Sequence, residues 1–153
     1  MDQIDRNLIA LLQQDGRLSQ ATLAARTGLS QSAVNERLKR LTASGAVKIV
    51  GQADPQAVDM TLLAFIFVAL DTPSRDDGFR AAMAADPSVL ECHHITGDWS
   101  YLLKVRAGSV AGLEALISDR IKRLPGIVRS HTMLALSTAK ETLALPLPLP
   151  PEE

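Results

Sequence analysis

Two short stretches hold the residues whose types and spacing can do chemistry. The first is Leu18–Leu41, LSQATLAARTGLSQSAVNERLKRL. A helical wheel centred on Val34 puts Ser32, Asn35, Glu36, Lys39 and Arg40 opposite an apolar stripe of Val34, Leu38 and Leu41. Short polar groups hydrogen-bond base edges, so Asn35 suits an adenine and Ser32 a base or a phosphate. Lys39 and Arg40 are better placed for phosphates. Helices starting at Ser19 and Ser30 would aim free N–H groups at the DNA backbone as well. Arg37 lies between the two faces, where its stem can pack while its head meets a phosphate. That chemistry is recognition of double-stranded DNA. A trihelical bundle with merely solvated charged faces fits the same residues. The combination of cap, Gly28-Leu29-Ser30 turn, apolar stripe and final Gly45 favours the DNA reader.

The second stretch runs from Cys92 to Tyr101, CHHITGDWSY. Glycine at 97 permits a tight turn whose exposed N–H groups can hold a carboxylate, and Asp98 can receive an ammonium group. Alternatively, Asp98 only satisfies a hairpin turn. Trp99 adds a broad apolar surface that can shape a pocket or seal a contact between copies. Cys92-His93-His94 invites a metal, but strand alternation puts Cys92 and His94 on one face and His93 on the other. Two ligands are too few, and His131 is the sole other histidine. Neither a metal nor a cofactor is expected. No acid–base pair, nucleophile–base arrangement or phosphate loop is visible, so the chain does not read as an enzyme.

Composition sets the frame for these stretches. With 153 residues, 46% of them hydrophobic, the chain fits one medium domain or two small ones with a proper core. Its net charge of -1 hides a gradient. Residues 1–45 carry six Lys/Arg against four Asp/Glu, and the remainder ten against thirteen. A local excess of +2 steers weakly toward phosphate. A single cysteine excludes an internal disulfide and fits a reducing compartment. The opening MDQIDRNL shows no secretory signal, and the apolar run Met60–Leu70 is too short to span a bilayer. The expected location is the cytoplasm, with no membrane partner.

The elements that must position these residues follow from local pattern. Ile4, Leu8, Leu11 and Leu12 predict a helix over Asp2–Gln14. Ser19 caps a second, with Leu23 and Ala24 inward and Gly28 ending it. A third runs from Ser30 to Gly45. Ala46–Gly51 reads as a short strand or wing, before an Asp54-Pro55 turn. Strands follow at Leu62–Leu70, Val89–Thr96, Tyr101–Ala107 and Ile127–Ser137. Helices are expected near Ser74–Ala85 and over Ser109–Leu124. The order β-α-β-β-α-β is the ferredoxin-like unit. The fold class is α+β, an N-terminal winged helix-turn-helix plus a C-terminal ferredoxin-like βαββαβ domain. Its expected parts are a DNA-binding domain at 1–45, a wing and linker strand at 46–60, the ferredoxin-like domain at 61–145, and a Pro-rich tail at 146–153. Apolar residues on both faces of Leu62–Leu70 favour a partner sheet, and so a dimer or larger assembly. The tail, alternating Leu and Pro, should be extended, lying on a neighbour or loose.

Taken together, IDRNLIALLQQDGRLS, LAARTGLSQSAVNERLKRLTASGAV, Asp54-Pro55, VLECHHITGDWSYLLKV and LPGIVRSHTMLALSTAKE resemble the Lrp/AsnC family of transcription regulators over residues 2–145. The resemblance implies a recognition helix carrying Ser30, Gln31, Ser32, Asn35, Arg37, Lys39 and Arg40. It implies that 61–145 is a ligand-sensing and oligomerisation domain, with dimerisation through it and further assembly to tetramers or octamers. It also implies a small-molecule effector, usually an amino acid, held near Thr96, Gly97, Asp98, Trp99, Ser100 and Tyr101. The family's turn commonly reads Gly-Asp-x-Asp, and here Ser100 stands at the second acid. The segment between Gly45 and Asp54 is one residue short, with Val50 near a common tyrosine. A DNA-architectural protein without effector and a small metabolite-binding enzyme of ferredoxin-like fold are the alternatives.

Overall fold

The computed structural model describes residues 1–150, which form two compact units. The first comprises Met1–Gln52 together with the chain from Lys140 onward. Helix α1 spans Gln3–Gln14, α2 spans Gln20–Thr27 and α3 spans Gln31–Ala43. Each begins where a side chain satisfies a helix-end N–H group. The Asp2 carboxylate accepts from Asp5 N, Ser19 Oγ from Thr22 N, and Ser30 Oγ from Ala33 N. Asp5 returns the favour to Asp2 N, closing a capping box. Gly28 ends α2 at φ 67°, a left-handed conformation that glycine adopts without steric cost. The stripes then meet in a core of Leu8, Leu11, Leu12, Leu23, Ala24, Val34 and Leu41.

The expected strand at Ala46–Gly51 does not form, and none runs through 46–60. A lone extended segment cannot satisfy its backbone without a neighbouring strand, and no described strand pairs with it. Val47 N reaches Leu41 O at 3.3 Å, while Ile49 and Val50 stay exposed. The chain then turns at Pro55–Asp59, closed by Met60 N donating to Pro55 O. The segment leading into the Pro-rich tail is tied to α1. Leu145 N donates to Gln13 Oε1 at 2.7 Å, and Gln13 Nε2 donates back to Leu145 O at 3.1 Å. Pro150 is buried. Residues 140–150 thus pack with the helical unit. Pro151–Glu153 lie outside the described residues.

The second unit, Ala53–Ala139, is a four-stranded antiparallel sheet with helices on one face. Strands β1 (Leu62–Leu70), β2 (Val89–His94), β3 (Tyr101–Ala107) and β4 (Ile127–Leu134) lie in the order β2-β3-β1-β4. Helix α4 covers Asp76–Ala85, after a 3-10 turn at Pro73–Arg75. Helix α5 covers Val110–Ala115 and continues as a π-turn over Leu116–Ile121. This is the ferredoxin-like βαββαβ unit. Alternation along β3 buries Tyr101, Leu103, Val105 and Ala107 beside Ala64, Ile66 and Val68. Phe79, Met83, Leu113, Leu116 and Ile121 cover them. The π-turn bonds Lys122 N to Ile117 O, an i→i+5 link that rotates the apolar stripe and leaves Ile117 and Leu124 only partly buried. The other face carries Phe65, Phe67, Leu102, His131 and Met133.

Candidate nucleic-acid interface and effector turn

The α3 residues expected to read DNA separate into three groups. Gln31 and Ser32 are exposed at the helix start, and Ser32 Oγ lies 3.0 Å from Ser30 Oγ. Asn35 is half-buried, its Oδ1 accepting from Gln20 Nε2 at 3.1 Å. Gln20, at the start of α2, was not anticipated. Its bond fixes the Asn35 carboxamide while leaving both Asn35 N–H donors unused by it. Lys39 is exposed, and its ammonium group makes no hydrogen bond or ion pair among the described residues. Ser19 is exposed too, sharing its hydroxyl with Thr22.

Arg37 and Arg40 behave differently. Arg37 Nη1 donates to Asp2 Oδ2 and to Asp5 Oδ1, both at 2.7 Å. Arg40 Nη2 donates to Asp5 Oδ1 and Oδ2 at 2.9 and 2.8 Å. Asp5 is only 2% exposed and is the sole buried charged residue described. Burial pushes its carboxyl up, but hydrogen bonds from Arg37 and Asp2 N, with the Arg40 charge, bring it below the usual carboxylate range. The Asp5 N–H and then Arg37 lower Asp2 likewise, and those carboxylates raise Arg37. Two of the three α3 cations thus hold α3 against the N-terminus of α1. The sequence had placed both heads on phosphate, because Asp5 and Arg40 are too far apart along the chain for any local periodicity to pair them.

In the second unit, Thr96, Gly97 and Asp98 form an exposed bend between β2 and β3, with Gly97 at φ 105°. The residues expected beside them diverge. Ser100 faces inward: its N donates to Val68 O at 2.9 Å, its O accepts from Ile95 N, and its Oγ accepts from Leu70 N at 3.0 Å. Tyr101 is 1% exposed, stacked on His94 at 5.0 Å and packed on Phe79 at 4.8 Å. It is a core residue, and burial followed by the nearby Asp76 charge pushes its phenol up. The alternation of β3 already pointed there. Trp99 instead stays half-exposed, 5.8 Å from Phe67 and 6.2 Å from His131. The Arg129 guanidinium lies 4.2 Å over its ring and donates to Asp98 O at 2.8 Å. Neither Arg129 nor Phe67 had been anticipated, since both reach the turn across the sheet.

Cys92, His93 and His94 alternate as expected, paired with Leu103, Leu102 and Tyr101. Cys92 packs against the core, and burial raises its thiol. His93 Nε2 lies 3.1 Å from Glu91 Oε2. The described residues hold no group of three or more His, Cys, Asp or Glu able to bind a metal. No helix among them is long and apolar enough to cross a membrane.

Residues 1–48 match the winged helix-turn-helix DNA-binding family, and residues 63–145 match the Lrp/AsnC ligand binding domain. A helix-turn-helix-type transcriptional regulator of Pyrococcus horikoshii is 33% identical, over 96% of this chain and 97% of its own. The leucine-responsive regulatory protein of Escherichia coli is 32% identical over 93% and 88%. Among solved structures, a transcriptional regulator of Neisseria meningitidis in complex with L-methionine superposes with a TM-score of 0.87 at 29% identity, covering 95% and 96% of the two chains. The feast or famine regulatory protein of M. tuberculosis, also complexed with L-methionine, gives 0.85 at 34% identity over 96% and 99%. With a DNA-binding trihelical unit and a ligand-binding βαββαβ unit, each matched to its own model, the chain belongs to the Lrp/AsnC family of transcription regulators.

Proposed function

We propose that this protein reads a specific double-stranded DNA site through α3 and changes its binding in response to an amino acid or related metabolite at the turn Thr96–Trp99. The observation that carries the DNA reading is the exposed α3 surface of Gln31, Ser32, Asn35 and Lys39, presented on a helix whose tilt the Asp5 ion pairs fix. Asn35 addresses a base, Ser32 a base or phosphate, and Lys39 with the Ser19 and Ser30 helix starts addresses the backbone. Arg37 and Arg40 position the helix. The effector reading draws on two related regulators solved with L-methionine. The Phe65, Phe67, Leu102 and Met133 face supports pairing of two copies into a homodimer, which would display two heads to one palindromic site. It acts in the cytoplasm, without a catalytic step.

Footprinting and quantitative binding test this reading. Asn35→Ala should weaken binding to a cognate site while sparing scrambled DNA, and relax one operator position. Equal losses on both DNAs would remove Asn35 from base reading. Protection that spreads indifferently along the DNA would replace local regulation with an architectural role.

A further inference from the structure

We propose that Arg129, on β4, receives the carboxylate of the effector, with Asp98 taking its ammonium group and Trp99 its side chain. The inference rests on the amino-acid reading above and assigns the residues that would carry it. Ser100, at the position where the family commonly has a second acid, is withdrawn from any ligand by its bonds to Leu70 and Val68. The charged groups at the turn are the Asp98 carboxylate and the Arg129 guanidinium. Asp98 is exposed and its carboxylate makes no hydrogen bond or ion pair among the described residues. Arg129 does not pair with it; its described bond is to the Asp98 main-chain oxygen. Two opposite charges are therefore brought to one turn without neutralising each other.

The way Arg129 is held leaves it able to bind. The guanidinium carbon lies 4.2 Å from the Trp99 ring centroid, over the ring. The Asp98 O bond uses one of five N–H donors, so further edge donors stay available for a bidentate carboxylate contact. Stacking also immobilises the side chain before any ligand arrives, which lowers the entropy lost on binding. Beside the guanidinium lies the Trp99 indole, backed by Phe67 and His131. An anion receptor, a cation receptor and an apolar plate around one turn match a zwitterionic α-amino acid with an apolar side chain. A bare amine or an N-acylated acid satisfies only part of the set.

The test uses the full-length protein. Thermal shift with each of the twenty amino acids comes first, then calorimetry with L-methionine, L-phenylalanine, phenethylamine and N-acetyl-L-phenylalanine. Wild type should prefer L-phenylalanine over phenethylamine by about 10-fold or more, the worth of a charge-assisted hydrogen bond. Arg129→Gln should abolish that preference by weakening L-phenylalanine and N-acetyl-L-phenylalanine while sparing phenethylamine, and Arg129→Lys should restore part of it. Asp98→Asn should weaken both amines while sparing N-acetyl-L-phenylalanine. An unchanged preference in Arg129→Gln overturns the role of Arg129 and leaves the effector reading standing. Binding confined to amino acids with charged side chains overturns the place given to Trp99. Binding of none of the twenty to wild type overturns the effector reading itself.

Discussion

Arg40→Gln and Lys39→Gln each remove one neighbouring α3 cation, yet the geometry assigns them different consequences. Lys39 is exposed without a described partner, so its charge is free for a phosphate. In the proposed dimer, with two heads on one site, Lys39→Gln removes two such contacts. The slope of log K against log salt should fall by about 1.8, at about 0.9 per phosphate contact. Cognate and scrambled DNA should lose affinity alike. The Arg40 Nη2 group is bidentate on Asp5, so its removal loosens the helix and should leave the slope unchanged. Arg40 is itself 61% exposed, which discounts its pair with Asp5 to about 1 kcal/mol. That corresponds to about a fivefold loss on cognate DNA, where helix orientation matters, and little on scrambled DNA. In an Asp5→Asn background Arg40→Gln should add almost nothing, because the pair is already gone. Fluorescence anisotropy across a salt series reads all of these. A slope reduced by about 1.8 in Arg40→Gln, with equal losses on both DNAs, would make Arg40 a phosphate contact and refute the clamp.

Other outcomes follow from the same coordinates. Asp5 is held below its ordinary pKa, so its contribution is fully present above the unfolded value near 3.9 and lost as pH falls through the folded value. Thermal melts in acid should therefore show a steeper loss for wild type than for Asp5→Asn, which is itself less stable by about 2–3 kcal/mol at neutral pH. Gly126→Ala combines φ 88° with a new Cβ 2.6 Å from Arg75 Cγ and 2.8 Å from Asp71 Oδ1, and should cost about 2–4 kcal/mol. Gly28→Ala, at φ 67° with open space around it, should cost about 1 kcal/mol, so the two melts should differ clearly. Gln13→Ala removes both bonds to Leu145, and hydrogen exchange at the Leu145 amide should speed by about 2- to 10-fold.

How much of this was legible in the sequence depends on how far apart the interacting residues lie. Helices α1, α2 and α3 could be read because their caps and stripes are local: Asp2, Ser19, Ser30 and Gly28 each act within four residues. The βαββαβ order was legible from alternation and breakers. The wing strand was not, because Ala46–Gly51 has strand-like residues but strand formation is decided by pairing, and no described strand pairs with it. The polar face of α3 was legible, but which of its cations are free was not. That depends on Asp5 meeting Arg37 and Arg40 in space. At the turn, Gly97, Asp98 and Trp99 carried local signals, whereas Arg129 reaches them only through β4. Tyr101 was misplaced among the ligand contacts although its buried register on β3 could be counted from Leu103 and Val105.

The central claim, a DNA reader answerable to an amino acid, meets its most direct test on the DNA upstream of the protein's own gene. Binding of the full-length protein would be titrated there, and on a scrambled sequence, with each common amino acid added in turn. The account predicts salt-sensitive, site-preferring binding whose affinity or protected length shifts with at least one apolar amino acid. Equal binding to both DNAs would contradict the reading of α3, and site-specific binding indifferent to every amino acid would contradict the sensing role.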